Sequence, residues 1–170
     1  MAATILLVVA CGLLAGQFHN LFGVAPILGA ILCASCFLRP RELFFVGWGG
    51  ILVRDLLVAV DIFTGVRLIA ITGVVASVVA LKVRPTFRSL ATGLLVSSPI
   101  FHLTLATGDW LTGYCSGLPK TPQGLGAAIV TALPYFQRSF VGDLAFTSMF
   151  LSLYALAAYG LLGLRPQTQS

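Results

Sequence analysis

Arg54 and Asp55 stand side by side in "ILVRDLLVAVD", residues 51–61, where everything else before Asp61 is aliphatic. Other polar side chains recur in similar surroundings. His102 follows Ser97, Ser98 and Pro99 in "LLVSSPIFHLTLATGDWL", which ends on Asp109 and Trp110, with Tyr114 just beyond. Arg138 and Asp143 punctuate "QRSFVGDLAF", and His19 and Asn20 open "FHNLFGVAP". Ionisable groups of this kind either grip a polar solute or pair with one another to pin helices together. Nothing marks a catalyst. The chain has no G-x-x-x-x-G-K-[ST], no H-E-x-x-H and no G-x-S-x-G, and no nucleophile is flanked by a base. Cys33 and Cys36 form a C-x-x-C within a helical run with no histidine nearby, so packing is the expected use. The expectation is a non-enzyme without cofactor or metal.

The elements that hold these residues are apolar. Of 170 residues 58% are hydrophobic and 9% charged, and the mean hydropathy is +1.02. Soluble domains are about 25% charged, so the composition predicts an all-α integral membrane protein. About 20 apolar residues cross the hydrocarbon core, which leaves room for about six spans. Apolar runs place them at 2–18, 21–38, 43–60, 66–81, 90–109 and 138–164. The thirteen residues "GLGAAIVTALPYF", 124–136, are too short to span and read as a re-entrant or interfacial segment ended by Pro134. Residues 1–164 form one membrane-embedded domain and 165–170 a polar tail. The first run lacks a basic leader and a good cleavage site, and is expected to be retained.

Charge orients the bundle. With the N-terminus cytoplasmic, Arg39, Arg41, Lys82, Arg84, Arg88 and Arg165 gather inside, and with Glu42 they account for the whole formal +5. Both termini are therefore expected on the cytoplasmic side of an inner membrane. The high pI needs no nucleic-acid partner, since the basic residues flank spans.

A charge at the centre of a span costs about 2.5–3.5 kcal/mol, so Arg54 and Asp55 must face protein or water. Neighbours on a helix point about 100° apart, which predicts that each finds its partner on another helix. Arg54–Asp143 and Arg138–Asp55 are possible pairs. In this topology Asp55, Asp61, Asp109 and Asp143 all fall in the outer half, the pattern of a cavity open to the outside. The bland reading stands beside it: the same charges as structural ion pairs, His102 as a packing histidine, Trp110 and Tyr114 as interfacial belt residues. Gly12 and Gly16, and Ala30 and Ala34, give small-xxx-small faces for internal packing or for a partner.

"GLPKTPQGLGAAIVTALPYFQRSFVGDLAFT", 117–147, resembles the signature region of a family of small, uncharacterised six-helix bacterial membrane proteins described as transport proteins. Pro119, Thr121, Gly124, Leu125, Ala132 to Phe136 and Gly142 to Leu144 carry the match, with Trp110, Asp55 and Pro26 matching more loosely. Leu105-Ala106 and Gly23-Val24-Ala25 depart from the family's polar residues at those places. That family is similar in turn to the substrate-binding (S) subunits of energy-coupling-factor vitamin transporters. The resemblance implies six helices, an outward-facing pocket and docking to an energising ATPase/transmembrane module.

These readings give a solute-binding transport subunit for a small polar or amphipathic metabolite. Arg54, Asp55, His102, Asp109, Trp110, Tyr114, Arg138, Asp143 and Asn20 are the expected substrate-binding residues. The alternative is a non-transporting accessory subunit of a larger membrane complex.

Overall fold

The computed structural model describes residues 8–10, 12–17, 27–114 and 117–156. Cys11, His19, Asn20, Pro26, Cys115 and the 165–170 tail lie outside the described residues. Those described form six helices and no strand: α1 (Val8–Gln17), α2 (Ile27–Ala34), α3 (Pro40–Val58), α4 (Phe63–Ala80), α5 (Phe87–Thr112) and α6 (Pro122–Leu156).

Local chemistry sets the helix ends. Pro40 opens α3, where the fixed φ of proline and its missing N–H cost nothing, and Glu42 Oε2 accepts from the Arg39 N–H at 3.0 Å. Thr86 caps α5, its hydroxyl accepting from the Ser89 N–H at 3.4 Å. Gly113, at φ 67°, closes α5 in the left-handed conformation that suits glycine. Thr121 and Pro122 start α6, with Thr121 Oγ1 accepting from the Gly124 N–H at 3.2 Å.

The core is built around α2, all eight residues of which are buried. It touches α3, α4, α5 and α6, while successive helices pack as antiparallel neighbours from α3 to α6. Ile27, Leu28, Ile31 and Leu32 interlock with Leu43, Ile51, Ile71, Val74, Val75 and Leu94. The α1 glycines are spent inside the bundle. A Cβ on Gly12 would strike Val53, and one on Gly16 would lie 3.3 Å from Leu57. Ala30 and Ala34 are likewise buried. Neither small-residue face is left open for a partner.

The outer surface is apolar too. Phe45, Leu56, Ile69, Phe87, Leu95 and Val141 are each more than half exposed. Two helices, α4 and α5, are long and apolar enough to cross a membrane, and only 33% and 39% of their most apolar stretches are buried within the bundle. The core helix of a water-soluble protein is mostly covered; these are not.

The sequence reading of six spans is met in part. The described parts of α1 and α2 are short, α3 carries Arg41, Glu42, Arg54 and Asp55, and α6 carries Gln123, Gln137, Arg138 and Asp143. Four charged residues in nineteen set α3 apart from α4 and α5. A clear departure is the segment 124–136. It is no separate re-entrant element but the first part of α6, which runs 35 residues through Pro134. Proline removes one donor to the carbonyl four residues back, a local loss that the turns on either side survive. At roughly 1.5 Å per residue α6 is about 52 Å long, well beyond a hydrocarbon core.

Candidate functional site

The first polar cluster sits at the corner between α3 and α4. Asp55 is fully buried, and three donors converge on its carboxylate: Arg54 Nη1 on Oδ1 at 2.5 Å, and Thr64 Oγ1 and Arg67 Nη1 on Oδ2 at 2.7 and 2.8 Å. Arg67 reaches on to Asp61, at 3.2 Å from Oδ1 and 3.5 Å from Oδ2. Tyr114, from the end of α5, donates to Asp61 Oδ2 at 2.6 Å and stacks on Phe63 with ring centroids 5.3 Å apart. The Arg67 guanidinium lies over the same Phe63 ring at 5.2 Å. Partial burial works against the charged form of Asp61. The hydrogen bond from Tyr114, the Arg67 charge and the Thr64 backbone N–H outweigh it and hold the carboxyl below its ordinary range.

This cluster corrects one expectation. Arg54 and Asp55 do bond to each other, because the long arginine stem folds back over the angle between neighbouring residues. The further partners of Asp55 come from α4, the hairpin neighbour. Arg54–Asp143 and Arg138–Asp55 pairs do not form among the described residues. Among the described residues two guanidiniums face two carboxylates, so these four charges sum to zero.

The second cluster lies about halfway along α5, where it packs on α6 beneath α2. Ser98 and Asp143 are fully buried, and Ser98 Oγ donates to Asp143 Oδ2 at a long 3.4 Å. Asp143 Oδ1 is buried without a partner, as are Thr147 Oγ1 and His102 Nε2. Asp143 and Thr147 are four residues apart on α6, and Ser98 and His102 four apart on α5, so each pair shares a helix face. The His102 ring sits edge-on to Phe101 and Phe136, with centroids 5.4 and 5.2 Å away, and Phe136 continues to Phe140. On the α2 side, a Cβ on Gly29 would come within 3.0 Å of the Thr147 backbone N, and Cys33 Sγ donates to the Thr147 carbonyl at 3.7 Å. Cys33 and Cys36 are both free thiols, so the C-x-x-C serves packing.

The remaining sequence candidates are placed differently. Trp110 donates from Nε1 to the Pro119 carbonyl at 2.9 Å, and Lys120 bonds back to the Trp110 carbonyl while its ammonium lies 5.6 Å from the indole ring. A Cβ on Gly124 would collide with the Pro119 carbonyl. The Pro119–Thr121–Gly124 motif thus straps the α5–α6 connection onto Trp110. Asp109 is half-buried one turn before the end of α5, and Arg138 is exposed on α6. A groove of about 380 Å³ runs between α4 and α5, walled by Val66, Ile69, Leu103 and Leu111 with Thr107. None of the candidate residues lines it. Among the described residues no cluster of three histidine, cysteine or acidic side chains suits a metal.

Sequence reasoning gave no role to Thr64, Arg67 or Thr147. Arg67 follows Asp61 and Thr64 at three-residue steps, a face periodicity that pointed to it. A lone threonine in an apolar run, such as Thr147, gives no signal until a neighbouring helix is placed against it.

No curated protein and no solved structure matches this chain. Residues 1–164 match the family described as "Family of unknown function (DUF6580)", to which the chain therefore belongs.

Proposed function

We propose that the chain is a multi-pass inner-membrane protein of six helices with both termini cytoplasmic, and that it binds a small polar or amphipathic solute as a transport subunit. One observation carries the reading: His102 Nε2, Asp143 Oδ1 and Thr147 Oγ1 are buried polar atoms with no partner on the α5–α6 face. Buried polar groups are hydrogen-bonded in more than about nine cases in ten, and each one left unpaired costs about 1–3 kcal/mol. Three together on one helix–helix face, among the described residues, mark a place kept for an occupant. The apolar exterior of α4 and α5 supports the lipid bilayer as surroundings, and the basic turn at Lys82 and Arg84 supports the orientation. His102, edge-on to two phenylalanines, offers the solute one hydrogen-bonding nitrogen in an aromatic wall.

The second reading, a non-transporting accessory subunit, is favoured by the closed Arg54–Asp55–Arg67–Asp61 network, which has the character of a helix staple. In this reading the chain shares with the substrate-binding subunits of vitamin transporters six helices and cytoplasmic termini, and nothing more is carried over. Docking to an ATPase module through α1 is no part of the proposal, since Val53 and Leu57 cover Gly12 and Gly16.

Two measurements test the proposal. Single cysteines at Arg84 and Gln123, both exposed, placed in a background without the four native ones, should label from opposite sides of intact cells; labelling from one side refutes the topology. A metabolite library should contain a compound that raises the melting temperature of the purified protein and fails to do so in His102→Ala. The absence of any such compound favours the accessory subunit.

A further inference from the structure

We infer that Asp143, Ser98 and Thr147 form a binding site for one monovalent cation, either a proton or a bare sodium ion, in the middle of the α5–α6 interface. The inference deepens the transport reading and rests on it for the ion's role, which is to couple solute movement to an ion gradient. Binding of the cation itself needs no solute.

Charge comes first. Asp143 is 0% exposed, and among the described residues no Arg, Lys or His pairs with it. Arg54 and Arg67 close on Asp55 and Asp61 at the α3–α4 corner, and Arg138, five residues before Asp143 on α6, is exposed. An isolated carboxylate deep in a protein costs several kcal/mol unless something positive joins it. Asp55, equally buried, shows what compensation looks like in this chain, with two guanidiniums and a hydroxyl. Asp143 has a single hydroxyl at 3.4 Å. One negative charge asks for one positive charge.

The donor set and the space define the ion. Oδ1 of Asp143 and Oγ1 of Thr147 are without partners one turn apart on α6, and Ser98 Oγ reaches Asp143 Oδ2 from α5. All three are oxygens, the ligands of a hard cation. A divalent or transition metal would need more carboxylate, imidazole or thiolate than the described residues bring together. The backbone of α2 closes the site at Gly29, where even a methyl group would press on Thr147 at 3.0–3.1 Å. The groove between α4 and α5 is lined by none of the three residues. The other titratable side chains that α5 and α2 bring to this face are His102, one turn from Ser98, and Cys33, whose thiol donates to the Thr147 carbonyl. Neither supplies a fixed positive charge.

The test uses the full chain in detergent with no solute. Thermal unfolding is followed in sodium chloride and in choline chloride at equal ionic strength, at acidic and at alkaline pH, for wild type and Asp143→Asn. If sodium is the ion, it raises the melting temperature of wild type over choline by roughly 5–10 °C at about a hundred times its dissociation constant, and Asp143→Asn loses the shift. If the proton is the ion, sodium and choline are equivalent, lowering the pH toward about 5, above the Asp61 acid limb, stabilises wild type by a similar amount, and Asp143→Asn loses that stabilisation. Either pattern supports the site and identifies its occupant. A wild-type melting temperature indifferent to sodium and to pH, or a response that survives intact in Asp143→Asn, overturns it. Should Asp143→Asn fail to fold, Thr147→Val must weaken the cation response at least tenfold in concentration. Infrared difference spectra of wild type on sodium–choline or pH exchange must also show a carboxyl band change, and its absence overturns the inference too. A solute screen that fails while the cation response stands would refute the transport reading and leave the site in place.

Discussion

Replacing Asp55 by leucine isolates the worth of the α3–α4 corner. The carboxylate receives Arg54, Thr64 and Arg67 within 2.5–2.8 Å, and its side chain is 1% exposed. Its removal leaves the Arg54 guanidinium, 9% exposed, and that of Arg67, 16% exposed, facing each other with less anionic compensation. Breaking a buried ion pair from one side costs about 3–5 kcal/mol, and Asp55→Leu should fall in that range. Arg67→Met keeps the stem and removes three charged hydrogen bonds, one to Asp55 and two to Asp61. Asp61 is 19% exposed, so water screens part of that loss, and about 2 kcal/mol is expected, within the range for a single charge-assisted bond. The triple replacement Arg54→Met, Asp55→Leu, Arg67→Met removes the buried charges and leaves the part-exposed Asp61 to Tyr114 and water, and apolar substitution of buried ion pairs is often neutral. It should recover to within about 1 kcal/mol of wild type. Equilibrium unfolding by denaturant in detergent micelles measures all three. Asp55→Leu within about 0.5 kcal/mol of wild type, or a triple variant no better than Asp55→Leu alone, refutes the picture of a dry, mutually compensated network.

The acidic side of the stability curve follows from Asp61. Its carboxyl titrates below the ordinary value in the folded state, so its contribution is complete above about pH 4, the unfolded value, and is lost as pH falls through the lower folded value. Thermal unfolding against pH should therefore steepen below about pH 4 in wild type and less so in Tyr114→Phe, which deletes one donor; equal acid limbs contradict the assignment. Gly124→Ala forces a methyl group onto the Pro119 carbonyl and should cost about 1–3 kcal/mol, the usual penalty of overpacking, in the same unfolding assay. Gly12→Val presses on Val53 across the α1–α3 contact and should cost about 1–3 kcal/mol as well. A neutral Gly12→Val would reopen α1 as a docking face.

Much of the helix plan was legible because its punctuation is local. "RPRE" at 39–42, "VRPTF" at 83–87 and "KTPQG" at 120–124 each place a proline at or near a helix start, and the apolar runs between them became α3, α4 and α5 with ends shifted by one to three residues. What escaped depends on reach and on neighbours. Periodicity gives the direction of a Cβ, and the Arg54 guanidinium acts several bonds farther out, which is how it meets the residue next to it. Pro134 reads as a stop, yet it removes only one donor from a helix with many. The α5–α6 face was half visible: Asp143 and His102 announce themselves in an apolar run, whereas Ser98 and Thr147 acquire meaning from antiparallel packing across two helices.

The two polar clusters divide the labour of this bundle. At the α3–α4 corner the charges sum to zero and every oxygen of Asp55 is taken, so a solute entering there would have to displace charge-assisted bonds of about 1.5–3 kcal/mol each before gaining any of its own. On the α5–α6 face the partners are missing in the resting protein, so an occupant gains interactions without breaking any but the long Ser98 contact. Binding energy is therefore available at Asp143, Thr147 and His102 and is already committed at Arg54, Asp55 and Arg67. On the transport reading proposed above, the same asymmetry points to α6 as the moving element. The corner holds α3, α4 and the end of α5 together through Tyr114, while α6 meets α5 at a face whose electrostatics change with its occupant. Any change of access should then be carried by α6 moving against a fixed α3–α4–α5 unit, with the Trp110–Pro119 strap as its pivot.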